Sequence, residues 1–181
     1  AGERSLALLQ QSSGEAGAAD TAEIHLSLGD AYLQVGRLDE AAAEYLDLLR
    51  LNPSDNQGAR YSLRDILLAA GRDDEARDLL ARYEDDAAAS WLWGRALVEY
   101  RLRPAGPAAQ RALIDATEAN PYVLALFEDP DALDQPVPER LELGGPTDAL
   151  YTAQRQYDAW AATPGALDWA FALAATIEEE R

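Results

Sequence analysis

The side chains with the greatest potential for chemistry are carboxylates, which form three short clusters, together with a single histidine, His25. The clusters are Asp73-Asp74-Glu75, Glu84-Asp85-Asp86 and Glu128-Asp129-x-Asp131. Paired carboxylates can bind calcium or transfer protons in hydrolysis. These clusters fall where helices are expected to start or turn, and acidic residues there commonly cap amide groups and interact favourably with the helix dipole. We therefore interpret them as structural, and we expect His25 to pack, partly buried, between helices.

The composition excludes most covalent and metal chemistry. The chain has no cysteine and no lysine, which rules out thiolate metal sites, cysteine nucleophiles, Schiff-base lysines and the lysine of a phosphate-binding loop. With one histidine, a zinc site would need carboxylates alone, which is unusual. No Gly-x-Ser-x-Gly turn is present to expose a serine nucleophile. We predict that the chain is not an enzyme, has no catalytic residues and uses neither a metal nor a cofactor.

The net charge of −18, from 33 acidic residues against 15 arginines, limits the partners. Such a surface cannot neutralise phosphates, so we expect no nucleic acid, and it repels anionic lipid. A basic protein partner is permitted, although strong acidity also serves solubility alone. The sequence contains no apolar run of membrane-spanning length and no signal-peptide pattern at its first residues. We therefore expect a cytoplasmic location and no membrane contact.

A repeated helix–turn–helix pattern organises the chain. Signature residues of a unit of about 34 residues occur within 22–55, namely Leu28, Gly29, Tyr32, Ala41, Tyr45 and Pro53. The string Gly-Arg-x-Asp-Glu-Ala occupies 36–41 and again 71–76, which places a second unit 35 residues later. A third unit is indicated by Trp93, Tyr100, Ala109, Ala116 and Pro121. The pattern predicts an all-α protein built as a right-handed superhelical stack of helical hairpins with a C-terminal capping helix pair.

Glycine and Asn-Pro breaks set the predicted helix ends. The repeat helices are predicted over 21–35, 38–51, 56–70, 73–83, 87–102 and 107–119, and the capping pair over 147–162 and 164–179. Asp20 and Glu23 resemble a capping box for the first helix, and Thr163 resembles an N-cap for the last. Arg60 is expected to form an ion pair with Asp55 or Glu44.

These elements divide the chain into four segments. They are a short N-terminal helix with a flexible link (1–20), three repeats (21–127), an acidic loop rich in proline and glycine (128–146) and the capping helices (147–181). The acidic loop is too long for an ordinary connector. It is therefore either an ordered, functional loop or a mobile one.

The signature residues given above resemble the tetratricopeptide-repeat family over about residues 22–123. A narrower likeness, over about 51–169, is to the suppressor of tumorigenicity protein seven family and related bacterial repeat proteins. It is carried by Asn52-Pro53-x-Asp55-Asn56-Gln57-Gly58-x-Arg60-Tyr61, Ala119-Asn120-Pro121-Tyr122-Val123, Ala149-x-Tyr151 to Trp160, and Pro164-Gly165-Ala166-Leu167. This resemblance implies helical repeats with interaction roles and no catalytic residues. Animal members look membrane-associated, and this sequence contains no segment for that.

In stacks of this kind the inner positions on the first helix of each hairpin point into a concave groove. The repeat register assigns partner binding to Asp30, Leu33, Tyr61, Asp65, Leu68, Trp91, Arg95 and Arg101. The groove would run from acidic to basic, with Tyr61 and Trp91 as aromatic anchors, unless Trp91 packs inside the fold. The lysine and asparagine residues that bind chaperone C-termini in some tetratricopeptide domains are replaced here by Leu26, Asp30, Tyr61 and Asp65, which disfavours that partner.

We therefore predict a non-catalytic adaptor or scaffold that binds a peptide or partner protein, and a basic partner is permitted. Two alternatives remain open. One is an acidic mimic that sequesters a basic or nucleic-acid-binding protein, whose salt-sensitive binding would not depend on Tyr61 or Trp91. The other is a regulatory domain of a larger enzyme, because the chain does not begin with methionine and the link over 13–19 leaves room for upstream modules.

Overall fold

The computed structural model describes residues 18–179, with side chains described from 21 to 177. Over that range the regular elements are helices and no residue forms a strand, which confirms the all-α prediction. The predicted helix over 3–12 and most of the link over 13–19 lie outside the described residues. The chain forms two compact units, residues 1–67 and 68–181.

The N-terminal unit contains α1 (Ala18–Gln34), α2 (Leu38–Leu51) and most of α3 (Ala59–Ala69), which crosses the division between the units. The C-terminal unit contains the end of α3, then α4 (Asp73–Arg82), α5 (Ala89–Leu102), α6 (Pro107–Ala119), α7 (Val123–Glu128), a 3-10 helix (Pro130–Leu133), α8 (Pro146–Ala161) and α9 (Ala166–Glu179). The helices predicted over the repeats and the capping pair are present, with their ends shifted by three residues or fewer.

Asp55 explains why α3 begins at Ala59 and not at residue 56. Its carboxylate accepts hydrogen bonds from the backbone N–H groups of Ala59 (2.8 Å) and Arg60 (3.1 Å), so it satisfies amides that a new helix leaves unpaired. The Arg60 guanidinium also donates to Oδ2 of Asp55 at 2.8 Å, which confirms the predicted ion pair. Asp55 adopts a positive φ of 50° in this turn, a conformation that aspartate tolerates better than most residues.

Two predicted helix caps are wrong. Asp20 lies inside α1, which is already helical at Ala18, so it cannot be the N-cap of that helix. Thr163 precedes a turn in which Gly165 has a φ of 74°, and α9 begins only at Ala166. The Thr163 hydroxyl instead donates to the carbonyl oxygen of Ala159, 2.7 Å away at the end of α8.

In the N-terminal unit α1 packs against α2, and small residues set their separation. A Cβ atom on Gly29 would lie 2.6 Å from the ring of Tyr45, which is fully buried. The Tyr45 hydroxyl donates to Oδ1 of Asp30 at 2.6 Å, and Nδ1 of His25 lies 2.6 Å from Oε2 of Glu44. His25 is therefore a partly buried packing residue, as expected, and its ring is held by a carboxylate of the neighbouring helix.

The string shared by the first two repeats forms the same ion pair twice. Arg37 pairs with Glu40 at 2.7 Å, and Arg72 pairs with Glu75 at 2.6 Å. In each case the neighbouring guanidinium holds the pKa of the glutamate below its ordinary value. The repeated arginine and glutamate therefore stabilise the first turn of α2 and of α4, where a carboxylate also favours the helix dipole.

Enlarging the small residue at the α1–α2 contact should destabilise the protein. Ala41 is fully buried, so the Ala41→Leu variant should lose about 1–3 kcal/mol of unfolding free energy through overpacking. Ala43 lies on the same helix but is exposed, so the Ala43→Leu variant should remain within about 0.5 kcal/mol of the parent. The free energy of unfolding of both variants is measured by urea unfolding followed by circular dichroism. Equal stabilities would contradict the close approach of the two helices.

The C-terminal unit is built around the α5–α6 hairpin, on which the last two helices pack. Helix α8 contacts α5 and α7, and α9 contacts α6, α7 and α8. Aromatic rings fill the interior: the centroid of Trp93 lies 5.7 Å from that of Trp160 and 5.5 Å from that of Phe127. The capping pair therefore covers the face of α5 that carries Trp93.

Candidate functional site

The N-terminal unit carries the acidic half of the predicted groove. Asp30 is exposed and Leu33 is half-buried. The Asp30 carboxylate already accepts the Tyr45 hydroxyl proton at 2.6 Å, which leaves its second oxygen for a partner. Both residues are accessible enough to contact a ligand.

Tyr61 and Asp65 follow on α3, and both are engaged by arginines. The guanidinium carbon of Arg60 lies 4.4 Å from the Tyr61 ring centroid, and Arg60 donates to the Tyr61 hydroxyl at 3.0 Å. The fully buried Arg64 donates to Oδ1 of Asp65 at 2.9 and 2.5 Å. Asp65 is therefore the counter-ion of a buried arginine and contributes less negative charge to the surface than its sequence suggests.

The two large apolar residues assigned to the groove in the C-terminal unit do not line it. Leu68 is 1% exposed and Trp91 is 0% exposed. The Trp91 ring packs edge-on against Tyr83, with 6.1 Å between ring centroids. Trp91 therefore packs inside the fold, which is the alternative that the sequence left open. Neither Leu68 nor Trp91 can touch a partner in this conformation.

Arg101 also has a different role from the one predicted. Its Nη1 donates to the carbonyl oxygen of Leu68 (2.8 Å) and to Oδ1 of Asp73 (3.2 Å). Its Nη2 donates to the carbonyl oxygen of Ala159 (2.9 Å), and its Nε donates to Oγ1 of Thr163 (2.8 Å). With 13% of its side chain exposed, Arg101 joins α3, α4 and α8 inside the fold, and its guanidinium donors are used there.

Arg95 is the one predicted C-terminal residue that lies on an accessible surface. It is half-buried, and its Nη2 donates to the backbone carbonyl of Glu84 at 3.3 Å. It lines an open cleft of about 450 Å³ between α4 and α5, whose other lining residues are Arg77, Leu80, Ala81, Glu84, Asp85 and Glu99. We call this the α4–α5 cleft.

The charges of the α4–α5 cleft are only partly compensated. Arg77 pairs with Asp74 at 3.0 Å. Within the part of the chain that the structure describes, the side-chain carboxylates of Glu84, Asp85 and Glu99 form no hydrogen bond or ion pair. The cleft therefore holds three carboxylates that a cation from outside can approach.

The sequence pointed to some of these cleft residues without assigning them a role. Glu84 and Asp85 belong to an acidic cluster that the sequence predicts at a helix start or a turn, and they lie in the turn after α4. Glu99 was not assigned at all. It follows Arg95 by four residues and so shares its face of α5, a spacing that would have identified it.

The described residues show no arrangement for metal or membrane chemistry. No three His, Asp or Glu side chains between residues 21 and 177 are grouped so that they could hold a metal ion. In the described part of the chain, every helix is too short or too polar to cross a membrane.

Comparison with known proteins finds a family likeness in the first part of the chain. The family model described as tetratricopeptide repeat matches residues 3–56 and again residues 26–90, which include α1 to α4. Neither a curated protein nor a solved structure matches the chain. The narrower likeness to the suppressor of tumorigenicity protein seven family is not confirmed by these comparisons. Tetratricopeptide repeats generally mediate protein–protein interactions as adaptors or scaffolds, and they are typically non-catalytic.

Proposed function

We propose that this chain, whose residues 3–56 and 26–90 match the tetratricopeptide-repeat family model, is a non-catalytic adaptor or scaffold that binds a basic peptide or a basic segment of a partner protein. The observation that carries the choice of partner is the α4–α5 cleft, where Glu84, Asp85 and Glu99 form no ion pair with any described residue. A lysine or arginine of the partner supplies the missing charge. Hydrogen bonds between charged groups of this kind are among the stronger polar contacts.

The dimensions and lining of the cleft suit a peptide side chain. Its volume of about 450 Å³ falls within the range of about 300–1,000 Å³ that is usual for ligand pockets. Leu80 and Ala81 give it an apolar part, against which the methylene stem of an arginine or lysine can pack. Arg95 offers a donor for an acidic group beside the basic one, so a ligand of mixed charge would be held in one orientation.

The N-terminal unit, taken by itself, offers a second set of residues that a partner can contact. Asp30 and Leu33 on α1 and Tyr61 on α3 are accessible and lie at inner positions of the repeat register. Tyr61 presents one polar and one apolar part, a combination common at binding hot spots. Asp65 contributes less because Arg64 neutralises it.

Binding of a labelled peptide of alternating arginine and glycine residues tests the cleft. Fluorescence anisotropy is measured in about 0.15 M salt, where exposed charges more than about 8 Å apart are largely screened. The Glu84→Gln/Glu99→Gln variant should bind about tenfold more weakly, a loss of about 1.4 kcal/mol. The matched control is Asp115→Asn/Asp168→Asn, which removes two exposed carboxylates on α6 and α9. This control changes the net charge by the same amount but leaves the cleft intact. Its affinity for the peptide should therefore stay within about twofold of the parent.

The pattern of losses separates the proposal from the alternative of an acidic mimic. If both double variants weaken binding equally, the whole negative surface attracts the peptide and the cleft has no special part. Unchanged binding in both variants would also refute the cleft. A loss confined to the Glu84→Gln/Glu99→Gln variant supports the proposal.

A further inference from the structure

The 3-10 helix and the residues on either side of it lie on the surface of the C-terminal unit. Every residue of the segment 129–135 is exposed or half-buried, and we call this segment the strap. The short helix α7 before it differs, because Val123 and Phe127 are 0% and 2% exposed. Since burial of apolar side chains supplies most of the free energy that holds a segment in place, the strap is attached more weakly than α7.

One side chain of α8 holds the strap by hydrogen bonds. Nε2 of Gln154 donates to the carbonyl oxygens of Leu133 (3.0 Å) and Gln135 (2.7 Å). In the part of the chain that the structure describes, the other hydrogen bonds of the strap lie within it or join Asp129 to the end of α7. Among the described residues, Gln154 is therefore the only polar attachment of the strap to α8.

The strap carries only negative charge. Its three carboxylates, those of Asp129, Asp131 and Asp134, are exposed, and the segment has no basic residue. Between residues 21 and 177 these carboxylates form no ion pair or hydrogen bond. Their repulsion by other carboxylates nearby is therefore not offset by a described partner.

The face of α8 that holds the strap adds to this repulsion. Asp158 is exposed and follows Gln154 by four residues, so it lies on the same face of the helix. The basic residue of α8, Arg155, has its guanidinium carbon 5.5 Å from the ring centroid of Tyr151. Closing the strap therefore brings like charges together. Salt weakens such repulsion, because the Debye length falls from about 30 Å at 0.01 M to about 3 Å at 1 M.

We propose that the strap is a salt-sensitive lid on α8. It leaves α8 as one unit while the C-terminal unit stays folded, Gln154 sets the equilibrium between the open and closed states, and rising ionic strength favours closure. Opening frees the side-chain amide of Gln154, whose Oε1 is buried in the closed state and accepts no hydrogen bond from the described residues. The inference does not involve the α4–α5 cleft and does not depend on the proposed function.

The distance between two spin labels, measured by pulsed electron paramagnetic resonance, reports the open fraction. The chain has no cysteine, so labels attach only where cysteine is introduced, at Gln135→Cys on the strap and Ala161→Cys on α8. Both positions are exposed. A closed strap gives one short, narrow distance, and an open strap adds a longer, broader one. The ratio of the two populations is the equilibrium constant for opening.

Removing the Gln154 side chain tests the attachment. In the labelled chain, Gln154→Ala should raise the ratio of open to closed strap about tenfold, because two hydrogen bonds are lost. The matched control is Gln110→Ala, since Gln110 lies exposed on α6 and its Nε2 donates to the carbonyl oxygen of Ala105 at 3.1 Å. The control should leave the ratio unchanged. Far-ultraviolet circular dichroism should be the same for both variants and the parent, because the helices stay folded.

Ionic strength and charge variants test the sensitivity to salt. Lowering potassium chloride from about 1 M to about 0.01 M should raise the ratio of open to closed strap about threefold in the labelled parent. The Asp131→Asn/Asp134→Asn variant should lower the ratio at about 0.01 M and remove most of the salt dependence. The control Asp115→Asn/Asp168→Asn makes the same change in net charge on α6 and α9 and should behave as the parent does.

Three results would overturn the proposal. The first is an equal open fraction in the Gln154→Ala and Gln110→Ala variants, because Gln154 would then not hold the strap. The second is a ratio that neither salt nor the Asp131→Asn/Asp134→Asn variant changes. The third is a loss of helical circular dichroism in step with the longer distance, which would mean that the strap opens only when the unit unfolds.

Discussion

Replacing Arg101 with leucine is expected to destabilise the C-terminal unit by about 2–4 kcal/mol, because it removes four hydrogen bonds of one charged group that connect separate parts of the unit. The guanidinium serves the carbonyl oxygens of Leu68 and Ala159, the hydroxyl of Thr163 and the carboxylate of Asp73. Asp73 is 23% exposed and can regain water, and the carbonyl oxygens of Leu68 and Ala159 keep a second donor. The loss therefore comes from the broken connections between the helices. Arg101→Lys should recover only part of the stability, since an ammonium group cannot reproduce the planar fork of donors.

Urea unfolding followed by tryptophan fluorescence measures this loss in the relevant unit. The four tryptophans of the chain all lie between residues 91 and 169, so their emission reports residues 68–181. Arg103→Leu is the matched control, because Arg103 lies two residues further along and is exposed; it should change stability by less than about 0.5 kcal/mol. If Arg101→Leu is as stable as Arg103→Leu, the hydrogen bonds of Arg101 do not hold the unit together.

The second large effect is expected for Trp160→Ala, which should cost about 3–5 kcal/mol. Trp160 is fully buried on α8, and its ring centroid lies 5.7 Å from that of Trp93 and 5.8 Å from that of Phe127. Its removal leaves a cavity at the place where α8 packs on α5 and α7, so α8 should be the first helix to separate. Calorimetry should show a lower melting temperature, and hydrogen exchange should be faster in α8.

Trp169→Ala provides the matched control for this variant. Trp169 packs against Tyr100 with 4.7 Å between ring centroids, but it remains half-buried, so its loss should cost less than half as much. A melting temperature that falls equally in the two variants would contradict the assignment of Trp160 to the centre of the packing.

The fold could be predicted because its determinants are local. Gly29 and Tyr45 belong to one hairpin, and the turn at Gly36, with a φ of 77°, follows from a single residue type. The Arg60–Asp55 ion pair was also predictable, because its partners are five residues apart. The start of α3 was predicted three residues too early, because it depends on the rotamer of Asp55. The Asp55 carboxylate caps the helix in this rotamer, and the sequence does not reveal which rotamer the side chain adopts.

The candidate site was less predictable because burial depends on distant parts of the chain. Trp91 and Leu68 occupy the register positions expected of groove residues, yet both are buried. The acceptors of Arg101 lie between 28 and 62 residues away from it, and no periodicity in the sequence connects them. Arg95 and Asp30 are accessible as expected, so the register identified surface positions only where no other part of the chain packs on them.

The position of Arg101 between early and late parts of the chain has a consequence for biosynthesis. Two of its acceptors, Ala159 and Thr163, are translated long after the arginine itself. A nascent chain that stops short of residue 163 cannot close this polar junction, so the second unit should mature late and slowly on the ribosome, in keeping with the entropic cost of joining remote segments. The N-terminal hairpin, whose helices are consecutive, carries no such delay.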